Sequence, residues 1–330
     1  MKYRMLGDGL KVSALGLGCM PMEGTGTGSY GAPDEAESVA TIHRAIDLGV
    51  TFFDTAEIYG PYTNEQLLGR AIKGRRDGLV IATKFGFRID GGVRGTDSSP
   101  ANIRKVCDES LQRLGIEVID LFYQHRVDLN TPIEDTVGAV ADLIREGKVR
   151  HIGLSEAGAG TLRKAAAVHP IAALQSEYSL WERDVEAEIL PVARELGIGF
   201  VPYSPLGRGF LTGRITSRDQ LDEGDYRLTD PRYSDENFAR NMAAVEVVKA
   251  IAVRHRASAA QVALAWLLAQ GPDIVPIPGS KRRVTLEDSM GAVDIELTAD
   301  DLAELDRASP RGGTAGARYA NPQMLAMTRL

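Results

Sequence analysis

The chain has 330 residues, 44% of them hydrophobic and 25% charged, with a formal net charge of -7 and a pI near 5.4. These values exclude disordered and fibrous classes and argue against a dedicated nucleic-acid or anionic-membrane surface. The length accommodates two ordinary domains or one large α/β barrel.

In chain order, KYRML and LKVSA flank Gly7-Asp8-Gly9 and predict a hairpin ahead of everything else. The first twenty residues place basic side chains before an apolar stretch, but Asp8, Lys11 and several glycines interrupt it, so no signal peptide is expected. Nowhere does an apolar run approach the ~20 residues of a membrane span. Cys19 and Cys107 lack the spacing of a disulfide framework or a metal site and read as small buried hydrophobes, which makes a reducing cytoplasm the expected compartment.

After the hairpin the pattern alternates. Short apolar runs recur at 14–18, 50–54, 79–83, 118–124, 148–155, 171–176, 198–204 and 273–279, and segments of helical period separate them. Ser99 before Pro100 and Thr131 before Pro132 place a cap ahead of proline at the first helical position, while Gly49, Gly115, Gly147 and Gly197 stand where a left-handed stop is needed. Residues 183–197, RDVEAEILPVARELG, read as one helix. Eight strand-like runs, each followed by helix, predict one (β/α)8 TIM barrel over residues 1–330, with an N-terminal β-hairpin and C-terminal loop and helices. The runner-up is a doubly wound dinucleotide-binding sheet. EGTGTGSYG at 23–31 invites it, but glycines at 24, 26 and 28 do not keep the G-x-G-x-x-G spacing, and a flexible loop is expected there. Segment 214–235 reads as a surface loop, and the tail after Pro310 as partly mobile.

In such a barrel the strand ends converge on one face, so polar residues distant in sequence become neighbours. The second run ends at Asp54 with Tyr59 just beyond, the third at Lys84 and the fourth at His125. Singly, each reads as a cap, a packed phenol, a solvated lysine or a structural histidine; together, at successive strand ends, they form a candidate site.

The motifs GLGCM, DTAEIYGP, ATKFG, YQHRVD, GKVRHIGLSE, LQSEYSLW, YSPLGRGFLTG and IPGSKRR resemble those of the aldo-keto reductases, in particular a bacterial and plant branch, over nearly the full length. The resemblance implies a catalytic tetrad of Asp54, Tyr59, Lys84 and His125 and an NADPH/NADP+ cofactor lying across the barrel mouth. It places cofactor contacts at Gly18, Cys19 and Met20; at Ser155 and Gln175 for the nicotinamide carboxamide; and at Tyr203, stacked on the ring. Ser204, Pro205, Leu206, Gly209 and Leu211 follow, with amides of Ser204, Leu206, Gly209 and Leu211 for the pyrophosphate. Ile277, Gly279, Ser280, Lys281 and Arg282 lie toward the 2'-phosphate, and Asp288 and Ser289 near the adenine. Ser155-Glu156 stands where the wider family has Ser-Asn, and Asp288-Ser289 where many members have Glu-Asn.

The chemistry is coherent by itself. Reducing a carbonyl leaves an alkoxide that must be protonated, and a phenol of ordinary pKa ~10 is a weak acid for that task. Lys84 is expected to lower the Tyr59 pKa, Asp54 to hold Lys84, and His125 to hydrogen-bond the substrate oxygen. The expected partner is a small carbonyl compound, with no nucleic acid, membrane or metal; monomer and homo-oligomer both stay open. Met20, Met22, Tyr30, Phe85 and Trp181 are expected to line the pocket, which suggests an apolar or aromatic substrate such as a pyridoxal-type aldehyde. The rival reading outside catalysis is a nucleotide-binding, redox-sensing accessory subunit.

Overall fold

The computed structural model describes residues 1–22, 30–90 and 92–328. The glycine-rich segment expected to be a loop at 23–31 lies, apart from Tyr30 and Gly31, outside the described residues. Strands β1 (Tyr3–Leu6) and β2 (Leu10–Ser13) pair antiparallel, Tyr3 opposite Ser13 and Leu6 opposite Leu10. Seven parallel strands follow in one sheet: β3 (Leu17–Gly18), β4 (Phe52–Asp54), β5 (Val80–Phe85), β8 (Ile119–Gln124), β9 (Val149–Ser155), β10 (Ile171–Glu177) and β11 (Gly199–Tyr203), neighbours in that order.

The eighth run closes the barrel without forming a regular strand. Its Val275 and Ile277 amides donate to Phe200 O (2.9 Å) and Pro202 O (3.1 Å), while Gly16 and Gly18 donate to Pro276 O (2.9 Å) and Pro278 O (3.2 Å). Pro276 and Pro278 have no N–H to return to β3, so that seam carries bonds in one direction only and is reduced to isolated bridges, Gly18 with Gly279 and Phe200 with Ile274. The hairpin plugs the barrel floor: Leu6, Leu10 and Val12 pack with Phe52, Ala82, Leu121, Val201 and Val275 in the interior. Gly199 permits this approach, because a Cβ there would lie 2.5 Å from Leu6.

Around the barrel run α1 (Glu35–Asp47), α2 (Thr63–Ile72), α3 (Pro100–Leu114), α4 (Ile133–Arg145), α5 (Ala159–Val168), α6 (Ile189–Glu195), α7 (Asp235–His255), α8 (Ala259–Ala269) and α9 (Arg283–Met290), followed by α10 (Ala299–Ala308) and α11 (Pro322–Ala326). Ser99 caps α3 through Asn102 N, and Gly49, Gly115, Gly147 and Gly197 all take positive φ. Thr131 does not cap α4: its hydroxyl is donated to Asp128, whose carboxylate organises that turn. The helix expected over 183–197 splits into a 3-10 turn (Asp184–Glu186) and α6, since Pro191 is tolerated only in the first turn of a restarted helix. A hairpin the motif reading missed, β6 (Phe87–Ile89) with β7 (Val93–Thr96), rises from the end of β5 and lays Phe87 against His125, ring centroids 5.0 Å apart.

Two surface segments carry buried charge that the sequence did not announce. Residues 214–235 form short 3-10 turns that bury Asp225, Asp230, Arg232 and Tyr233, because their charges meet opposite charges at the barrel mouth. In the C-terminal tail, Ala315 exchanges hydrogen bonds with the Asn241 side chain (2.8 and 3.0 Å), and Arg318 is buried. Among the described residues no helix is long and apolar enough to cross a membrane.

Candidate active site

Strand parity builds the site. Phe52, Ala82, Leu121, Ala173 and Val201 face the apolar interior, so the side chains two residues on, Asp54, Lys84, Tyr123, Gln175 and Tyr203, face it too, one layer higher. His125 and Ser155 share that parity, two residues past Tyr123 and Gly153. The apolar floor is thereby roofed by polar side chains contributed by successive strands. Residues of the expected pocket lining lie in several different clusters. Phe85 is of the opposite face and packs on Phe122 (4.6 Å between ring centroids) beneath the helices, Met22 is buried in a separate apolar cluster, and Trp181 sits in an aromatic cluster with Phe210 and Tyr233.

The structure brings Asp54, Lys84 and Tyr59 into one contact. Lys84 Nζ donates to Asp54 Oδ1 (2.5 Å), Thr55 O (2.8 Å) and Tyr59 OH (3.2 Å), and lies over the Tyr59 ring. His125 meets Tyr59 edge to face at 5.8 Å between centroids. Burial works against the charge on Lys84, but Asp54 and Tyr59 outweigh it and leave its pKa above the ordinary lysine value. Burial raises the Asp54 carboxyl, with Lys84 and Gln175 acting against that rise. The expectation of a lowered Tyr59 pKa needs correction: burial pushes the phenol up and outweighs the pull of Lys84. Burial, Lys84 and Arg126 together hold His125 well below its usual range, so its imidazole is neutral at pH 7.

The residues assigned to a cofactor fall into three groups. In the mouth, Ser155 Oγ accepts from Arg126 Nη1 (3.2 Å), Gln175 Nε2 donates to Asp54 Oδ2 (2.8 Å), and the Tyr203 hydroxyl meets Tyr319 OH (2.8 Å) and Arg318 Nη2 (2.7 Å). In the 204–211 turn, Ser204, Gly207, Arg208 and Gly209 all have positive φ. The Gly209 and Leu211 amides expected to face outward both donate to Leu206 O at 3.1 Å, closing the turn that follows Pro205. At the start of α9, Ser280 Oγ donates to Arg282 O (3.0 Å), while Lys281 Nζ is spent on the carbonyls of Tyr30 (2.8 Å), Gly31 (2.7 Å) and Ala32 (3.3 Å).

The remaining assigned residues lie along the barrel rim and at α9. The Cys19 side chain is buried; its N–H donates to Asp54 O (2.9 Å) and its carbonyl accepts from Asn64 Nδ2 (2.8 Å). Gly18 and Gly279 form the barrel seam beside Ile277, and Met20 opens a short 3-10 turn. Asp288 lies 3.5 Å from Arg214, and Ser289 is buried. The α9 start holds an anion of the protein's own, since Glu37 accepts from Arg283 N (2.9 Å) and Arg283 Nη2 (2.8 Å).

Above this layer lies a charge network absent from the sequence reading. Arg318 donates to Glu177 Oε2 (2.6 Å) and to both oxygens of Glu156 (2.5 and 3.0 Å). Arg232 joins Glu177 (3.2 Å) to Glu182, and Arg208 joins Asp230. Burial opposes ionisation of Glu156, but Arg318 and Arg126 hold its pKa down to about 2. The available signal was parity, since Glu177 extends the inward row of Ala173 and Gln175; nothing local announced the arginines.

Comparison with known proteins accords with this architecture. The model of the Aldo/keto reductase family matches residues 14–310. A probable aldo-keto reductase 1 from Glycine max is 46% identical over 317 residues, 95% of this chain and 90% of its own length. Among solved structures, a glycerol dehydrogenase from Gluconobacter oxydans superimposes with TM-score 0.83 at 31% identity, covering 93% of this chain and 94% of its own. The holo form of an aldo-keto reductase from Bacillus halodurans gives 0.76 at 29% identity, with 94% and 96% covered. With sequence agreement along nearly the whole chain and the same barrel in the structural relatives, this chain belongs to the aldo/keto reductase family of oxidoreductases.

Proposed function

We propose that this protein reduces aldehydes and ketones to alcohols with NADPH, using Tyr59 as the proton donor. The observation that carries the reading is the placement of Lys84 Nζ between Asp54 Oδ1 (2.5 Å) and Tyr59 OH (3.2 Å). The cofactor, when bound, supplies a hydride to the carbonyl carbon. Ser155, Gln175 and Tyr203 would hold its nicotinamide end, the 204–211 turn its pyrophosphate, and Ser280 and Arg282 its 2'-phosphate.

Because burial keeps the Tyr59 phenol protonated at pH 7, the proton is in place before charge develops on the substrate oxygen. As that oxygen turns negative it takes the proton, and the ammonium of Lys84 stabilises the phenolate left behind. Asp54 keeps Lys84 charged and oriented. Neutral His125 donates one hydrogen bond to the same oxygen, fixing its approach at a value of order 3 kcal/mol for a well-placed donor.

Following NADPH absorbance with a panel of simple aldehydes tests the reading directly. Tyr59→Phe should lower kcat by about 10²–10⁴-fold, the range for a general acid, with NADPH affinity unchanged. A Phe variant that turns over normally refutes the acid assignment, and tight NADPH binding without turnover in the wild type supports the accessory-subunit reading instead.

A further inference from the structure

Four arginines are buried at the barrel mouth, and three have carboxylates in reach: Arg318 with Glu156 and Glu177, Arg232 with Glu177 and Glu182, Arg208 with Asp230. Arg126 is the exception. It is only 6% exposed, yet no carboxylate among the described residues lies within 4.0 Å of it. Its Nη1 donates to His125 O (2.7 Å) and Ser155 Oγ (3.2 Å), which folds the guanidinium between the ends of β8 and β9, beside the proposed acid and the proposed oxygen-binding histidine. Nε is buried without a partner, and Nη2 makes no hydrogen bond to the described residues. The unused atoms are therefore the Nε–Nη2 edge, the side of a guanidinium that binds a carboxylate through two parallel hydrogen bonds. A charged group this deep is ordinarily paired at close range, and here Glu156 acts on Arg126 only from beyond 4.0 Å, so that the Nε–Nη2 edge has no anion of the protein bonded to it.

We propose that Arg126 anchors a carboxylate carried by the substrate, so that the preferred substrates are oxo-acids: aldehydes or ketones with a carboxylate beyond the carbonyl. This rests on the carbonyl-reductase reading and narrows it, adding to the expected apolar pocket a fixed positive charge besides that of Lys84. Arg126 is a specificity residue here. The neighbouring Ser155 contact keeps the fork in plane, and Tyr203 and Tyr319, whose hydroxyls meet at 2.8 Å, border the same mouth.

The test compares 4-carboxybenzaldehyde with benzaldehyde by kcat/KM in the wild type, Arg126→Met and Arg126→Lys, together with NADPH affinity and the thermal shift given by benzoate against benzamide. The carboxylate preference should fall about ten- to hundred-fold in R126M, chiefly through KM, as expected for loss of a charge-assisted bidentate contact. R126K, which keeps the charge and loses the fork, should retain part of the preference. It also decides the matter if R126M does not fold, since a Lys variant with the full wild-type preference overturns the bidentate contact. A ratio within about twofold of wild type in R126M overturns the proposal, as does a variant whose NADPH affinity collapses while the ratio stands, which would assign Arg126 to the cofactor. If wild type reduces neither aldehyde, the carbonyl-reductase reading fails by itself. The benzoate shift then remains the measure: its loss in R126M supports the anion site, and its absence in wild type overturns it.

Discussion

The Gln175 amide donates to Asp54 Oδ2 at 2.8 Å while Lys84 holds Oδ1 of the same carboxylate at 2.5 Å, so β10 reaches across the barrel to steady the acid that steadies the lysine. Gln175→Leu removes one bond to the ionised carboxylate, and burial then raises the Asp54 pKa further. A protonated Asp54 holds Lys84 poorly. The variant should lose about tenfold in kcat/KM, with the acid limb of its pH profile displaced to higher pH. An unshifted limb in Q175L assigns Gln175 to the cofactor alone.

Glu57, between Asp54 and Tyr59 in sequence, is 3% exposed, and its Oε1 has no hydrogen-bond partner among the described residues. Burial and repulsion from Glu65 push its pKa up to about 8. The folded state therefore binds more protons than the unfolded one between the ordinary range near 4.5 and about 8, and stability falls as pH rises through that window. Glu57→Gln should be increasingly stabilising above pH 5, reaching a few kcal/mol near pH 8 at ~1.4 kcal/mol per unit. Denaturant titrations of both proteins at several pH values measure it, and parallel stability curves exclude it.

Arg318 bridges two buried carboxylates from a segment distant in sequence. Arg318→Met should destabilise by about 3–5 kcal/mol at pH 7, the usual result of stranding a buried charge. Since Glu156 is held down to about 2, the wild-type contribution is complete above its ordinary 4.5 and is lost as pH falls toward 2. R318M should lack that acid-dependent loss, and R318M with Glu156→Gln should recover part of the stability. Circular dichroism during acid titration reads both.

Lys281 is committed to backbone carbonyls at 30–32, whereas the Arg282 side chain is exposed and makes no ion pair among the described residues. Arg282→Ala should therefore raise KM for NADPH about tenfold and leave KM for NADH unchanged, because only the former carries a 2'-phosphate. Equal effects on the two cofactors remove Arg282 from that role.

How much of this was legible varied with the range of the interaction. The alternation of apolar runs and helical segments is local, and seven of the eight runs became strands; the eighth, with Pro276 and Pro278, lacked the donors to do so. The 3-10 turn at 184–186 and the unused Thr131 cap show local rules yielding to Pro191 and to Asp128. Phe85 was misplaced because hydrophobicity states that a residue is buried and parity states in which layer.

By itself, the order of residues determined the barrel class and the strand-end positions of Asp54, Lys84 and His125, since short-period patterning and strand parity act over a few residues. Tertiary structure alone decided which charges meet. Arg318 finds Glu156 across 162 positions, Gln175 finds Asp54 across 121, and Arg126 has no carboxylate within 4.0 Å among the described residues. Pairing of buried charges is settled by closure of the barrel and docking of the tail, where the loss of water makes every unmatched group costly, and no local pattern encodes that geometry.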